Sequence, residues 1–67
     1  MMRKILKPYI LLMGGNQFGF YKTLSDAVEA ARVINTNKLR SGGPDYVLPV
    51  KVVYEQVGQP IKTVHEE

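Results

Sequence analysis

The sequence predicts an α+β domain: one helix packed on an antiparallel sheet of three to four strands, in the order β-β-α-β-β. Two observations carry that expectation. A glycine-rich turn splits two apolar segments rich in strand formers, Pro8–Met13 and Phe18–Lys22. After them comes a segment whose apolar residues recur at helical spacing, and then a Val/Tyr-rich run. The chain has 67 residues, which is room for a single domain over 1–67. A domain of this size buries only about 60% of the surface its unfolded chain exposes, so its core has little margin.

The first strand is expected over Pro8–Met13, and Gly14-Gly15-Asn16-Gln17 supplies the positive-φ residues that a hairpin turn requires. Phe18–Lys22 returns as the second strand, with Gly19 a point of bulging or close contact. Thr23 then opens a helix. Thr23 and Asp26 have the spacing of a capping box, and Asp26 and Glu29 lie near the positive end of the helix dipole. Leu24, Ala27, Val28, Ala31 and Ile34 form the apolar stripe, opposite Ser25, Asp26, Glu29 and Arg32. The helix is expected to stop at Asn35-Thr36-Asn37 and give way to a basic, glycine-containing loop over Lys38–Asp45. Tyr46–Glu55 reads as a long third strand, with Pro49 at an edge, bulge or break because it has no N–H for a ladder. Val57-Gly58-Gln59-Pro60 turns the chain into a short last strand, Ile61–His65. If the helix crosses back over the hairpin, the third strand lands beside the first and the spatial order is 2-1-3-4.

Composition narrows the function. Hydrophobic residues make up 45% of the chain and charged residues 22%, which suits a globular protein better than a disordered tail or a membrane span. Cysteine is absent and His65 is the sole histidine, so neither a disulfide framework nor a Cys/His zinc module can be built. A reducing cytoplasm is the expected location. The basic start, Met1–Lys4, leads into an apolar run too short and too interrupted for export or for crossing a membrane.

No constellation for catalysis emerges. His65 lies at the end of a strand without a nucleophile beside it, and Glu66 and Glu67 read as a solvated tail. Asp26 and Glu29 are accounted for by the start of the helix. Both glycine clusters precede strands, whereas a phosphate-cradling loop leads into a helix N-terminus. The sequence therefore names no catalytic, cofactor-binding or metal-ligating residue and no cofactor.

Interaction is the better-supported class. The net charge is +3, divided into +5 over residues 1–44 and −2 over residues 45–67. One helix covers one sheet face, so the other should alternate to polar, yet strand one is apolar at every position. Ile10, Leu12, Tyr21, Val53 and Tyr9 are the residues left for that second face. An apolar sheet face of this kind marks contact with a partner or with a second copy, hence a homodimer. The expected partner-binding residues are Tyr9, Leu12, Tyr21 and Tyr54, together with the basic Lys38 and Arg40. A nucleic-acid partner is the alternative, with Arg3, Lys4, Lys7, Lys38 and Arg40 as cations and Tyr9, Tyr21, Tyr46 and Tyr54 as stacking platforms.

The segment Tyr9–Val53, with its hairpin, its Phe20-Tyr21-Lys22-Thr23-Leu24-Ser25-Asp26-Ala27 junction and its alanine-rich helix, resembles small phage-encoded inhibitors of host machinery, of the anti-CRISPR or RNA-polymerase-inhibitor type. That resemblance implies a non-enzymatic module that docks on a host protein or nucleoprotein complex in the host cytoplasm and blocks it sterically. The same junction occurs in β-β-α DNA-binding domains, which keeps a sheet-based DNA- or RNA-binding module as the second reading. Many such inhibitors are acidic mimics of DNA, whereas this chain is basic, which argues against mimicry; the resemblance carries over no site residue.

The helix facing is directly testable. Ala31→Glu places an unpaired charge between helix and sheet and should unfold the domain or lower its melting temperature severely. Arg32→Glu, on the opposite side, should change stability little. Circular-dichroism melts of the two variants decide the facing.

Overall fold

A computed structural model describes residues 4–41 and 49–67. Strands β1 (Tyr9–Met13) and β2 (Asn16–Tyr21) form the hairpin, and helix α1 (Leu24–Ser41) follows. Strands β3 (Val50–Tyr54) and β4 (Lys62–Glu66) complete a four-stranded sheet in the order β2-β1-β3-β4. Each neighbouring pair is antiparallel, as the sequence predicts.

The hairpin turn consists of Gly14 and Gly15 alone, at φ 60° and 86°. Two successive positive φ values define the type I′ turn, whose twist matches that of the flanking strands. Asn16 and Gln17 belong to β2, where Asn16 pairs with Met13. The pairing then shifts by one residue, from Leu12↔Gln17 to Leu11↔Gly19, leaving Phe18 as the extra residue of a bulge.

At the start of α1 the Thr23 side chain accepts a hydrogen bond from the Asp26 N–H at 3.2 Å, and its carbonyl accepts the first helical bond from Ala27. Thr23 is thus the N-cap. The far end departs from expectation. The helix runs through Asn35-Thr36-Asn37 and continues to Ser41, so Lys38 and Arg40 lie on α1 and not in a loop. Asn and Thr cost only roughly half a kcal/mol each in a helix interior, and Lys38-Leu39-Arg40 are good helix formers. Cations in the last turn also suit the helix dipole.

The core lies between α1 and the sheet. Leu11, Val50 and Val52 are fully buried against Ala27 and Ala31. Each fully buried aliphatic side chain of this size contributes roughly 1.5–3 kcal/mol. Ala30 and Ile34 pack at the margin, whereas Leu24, expected in the stripe, is exposed. The small alanines bring the helix backbone down on the sheet along the 27–31 line, and Leu24 and Val28 fall to one side of it.

The expected third strand, Tyr46–Glu55, is described only from Pro49 onward. β3 begins at Val50, and Pro49 lies just outside it, its carbonyl accepting a hydrogen bond from the Gly14 N–H at 3.0 Å. Gly42–Leu48, including the second half of the expected loop and Tyr46, lie outside the described residues, as does Arg3. The C-terminal segment is fastened and not a solvated tail. The Glu67 N–H donates to the Val50 carbonyl at 2.9 Å, and its carboxylate meets His65 Nε2 at 2.7 Å and Arg32 Nε at 3.9 Å.

Gly19 explains which parity of β2 faces the helix. It sits opposite Leu11, and a Cβ at this position would lie 2.8 Å from the Tyr21 hydroxyl oxygen and 2.9 Å from its ring. The tyrosine ring therefore lies across the glycine, filling the space that a side chain at position 19 would take. Gly19→Ala should cost roughly 1–3 kcal/mol by forcing that ring to move. The same substitution in a Tyr21→Ala background should cost far less, and urea melts of the four proteins measure the coupling.

Candidate functional site

Two surfaces stand apart from the core. The first belongs to the sheet face opposite α1 and to the free edge of β2. In register across the strands, Phe20, Ile10, Val53 and Thr63 form one row of this face. The next row is Gln17, Leu12, Lys51 and Glu66. Ile10 and Val53 are only 4% and 7% exposed, and Leu12 is half-buried. Exposure is concentrated instead on Phe20 at 50% and on the bulge residue Phe18 at 52%.

This arrangement corrects the expected surface. Tyr9 and Tyr21 do not lie on the second face. Tyr21 pairs with Tyr9, and Tyr9 with Tyr54, so all three share the helix side of the sheet, where Tyr9 and Tyr21 pack against the core. The aromatic residue that β2 presents on the second face is Phe20. Period-2 alternation puts Phe20 and Tyr21 on opposite sides but does not say which side meets the helix. Gly19 settles that by making room for the ring of Tyr21. Of the expected contact residues, Leu12 alone lies on the second face.

The edge strands differ in character. β4 carries Lys62 and Glu66, charges that discourage further strand pairing. The sequence of β2, Asn-Gln-Phe-Gly-Phe-Tyr, has no charge and no proline.

The second surface is built around a row of tyrosines on the helix side of the sheet. Tyr21, Tyr9, Tyr54 and Lys62 stand side by side across the sheet. The Tyr9 and Tyr54 ring centroids are 5.1 Å apart at 57°, and Lys62 Nζ stands 6.0 Å from the Tyr54 ring. A tilted aromatic pair contributes roughly 0.5–1.5 kcal/mol beyond its burial. Next to the row is a cleft of about 310 Å³ whose lining includes Lys4, Lys22, Tyr9, Tyr54 and Gln56. Among the described residues, no carboxylate lines it.

Gln56 builds one wall of this cleft by holding down the segment before β1. Its Oε1 accepts from the Ile5 N–H at 2.7 Å and from the Val57 N–H at 3.0 Å, and its Nε2 donates to the Ile5 carbonyl at 3.1 Å. The carboxamide thus pairs with Ile5 as a strand backbone would. Pro8, buried, accepts from the Glu55 N–H at 2.8 Å and extends the β1–β3 pairing in the same direction. Nothing in the spacing of the sequence identifies Gln56, because its partner lies 51 residues away.

Arg40 is exposed near the end of α1, and Lys38 belongs to the same helix, its side chain lying outside the described residues. Among the described residues, Arg40 does not line the tyrosine cleft. His65 stands in β4, its side chain 22% exposed and paired with Glu67. Among the described residues, no cluster of His, Asp or Glu could hold a metal ion, and no helix is long and apolar enough to cross a membrane.

No family model, curated protein or solved structure matches this chain.

The role of Gln56 has a clear test. Gln56→Ala should destabilise the domain by roughly 1–2 kcal/mol, the net worth of its partly buried hydrogen bonds. Gln56→Glu should fail to restore the Ile5 carbonyl contact, because an ionised carboxylate cannot donate. Hydrogen exchange at the Ile5 amide should accelerate in both variants, most strongly in the alanine one.

Proposed function

We propose that this chain is a non-enzymatic protein-interaction module that docks through the edge of β2, with Phe18 and Phe20 as its anchors. One observation carries this reading: two half-exposed aromatic side chains stand on an uncharged edge strand, beside the apolar row of Ile10 and Val53. An edge strand offers unpaired N–H and C=O groups, and a partner strand added there gains main-chain hydrogen bonds and places for its alternate side chains. Aromatic residues are the usual anchors of such contacts.

The partner that fits is an extended strand of mixed apolar and acidic residues. The chain carries a net charge of +3, and Lys22 and Lys51 are the charged residues nearest the β2 edge in sequence and register. Docking of this kind acts by occlusion, the mechanism that the resemblance to phage-encoded inhibitors of host machinery implies. A second copy, with its own +3, is the competing occupant.

Affinity capture with the purified protein as bait, repeated with variants, tests the proposal. The Phe18→Ser/Phe20→Ser double variant should lose the captured partner by tenfold or more while keeping its fold. Val33→Ser, which removes an equally exposed hydrophobic residue from α1, should not. Equal losses in both would mean that capture reflects general stickiness, and a concentration-dependent dimer in sedimentation would assign the edge to a second copy.

A further inference from the structure

From the cleft beside the tyrosine row we infer a second binding site, one that takes a nucleoside phosphate. It lies beside the tyrosines on the helix side of the sheet, whereas Phe20 presents on the opposite face. Three features of its wall point to this ligand. Lys4 and Lys22 converge on it from segments far apart in sequence, with no opposing carboxylate in the lining among the described residues. Such a pair neutralises a phosphate, and the positive field of the chain adds to it. Tyr9 and Tyr54 supply half-buried ring surface in the same wall, the kind of surface on which a base packs irrespective of its identity.

The third feature is preorganisation. Lys4 precedes the residue that Gln56 grips through both its N–H and its carbonyl. The segment is therefore held in place before any ligand arrives, and less ordering entropy opposes binding. A lysine on an untethered segment would lack that advantage. The cleft volume is near the lower bound for small-molecule sites, which suits one nucleotide and not a duplex. A free nucleotide and the end of a single strand share this chemistry.

The test is titration of the full chain with thymidine monophosphate, a short oligothymidylate, inorganic phosphate and polyglutamate. Amide and ring shifts of Tyr9 and Tyr54 report occupancy. Binding of the oligonucleotide at low salt is expected, weakened tenfold or more by Lys4→Ala/Lys22→Ala. The salt slope should flatten by roughly 0.7 for each lysine removed. Tyr54→Leu should weaken the nucleotide arms but not the phosphate arm. Monophosphate affinity within a few fold of the oligonucleotide's identifies a free nucleotide as the source, and a much tighter oligonucleotide identifies a strand. The Phe18→Ser/Phe20→Ser variant should bind like the parent, which separates this site from the docking edge. Lys51→Ala weakening binding as much as the double lysine variant, polyglutamate binding as well as the oligonucleotide, or no shift at Tyr9 and Tyr54 would each overturn the site.

Discussion

The close approach of α1 to β1 and β3 is the contact on which the rest of this domain depends. Ala27 and Ala31 present almost no side chain, so the helix descends onto Leu11, Val50 and Val52 and removes all five from water. A domain this small has no second core to fall back on. The narrow contact also explains the remaining packing. With the helix centred over β1 and β3, the tyrosines and Met13 fill the flanks of the same layer, and Leu24 and Val33 are left in solvent.

Glycine distributes the aromatic residues between the two faces. Gly14 and Gly15 close a turn of two residues, and the bulge at Phe18 then resets the register of β2. Gly19 receives the ring of Tyr21 under the helix, which obliges Phe20 to face the other way. A large apolar side chain therefore stands at the edge of the sheet in place of a tyrosine. A charge or a proline in β2 would have blunted that edge, as Lys62 and Glu66 do for β4.

The tyrosine row and the Phe20 row are kept apart by the pleat. Side chains at successive positions of β1 leave the sheet on opposite sides, so Tyr9 joins the cleft while Ile10 joins the apolar row. Gln56 contributes to the cleft in a way that strand pairing cannot. Its carboxamide extends the backbone hydrogen-bond pattern of β3 past the end of the strand, tying Ile5 down beside the sheet.

Local chemistry in the sequence determined the kinds and order of the elements. The Gly14-Gly15 turn, the Thr23 cap, the alanine stripe and the Val/Tyr run each report on their own neighbourhood, and together they specify a β-β-α-β-β chain in the order 2-1-3-4. The end of α1 was hidden because Asn35-Thr36-Asn37 costs a helix little, and the hydrogen bonds of the surrounding turns outweigh it. Tertiary structure alone decided which parity of β2 meets the helix. Alternation is symmetric between the two faces, and a glycine's room for a neighbouring ring exists only once the strands are in register. The Gln56–Ile5 clamp and the meeting of Lys4 with Lys22 were equally out of reach, since each joins segments that only the folded sheet brings together.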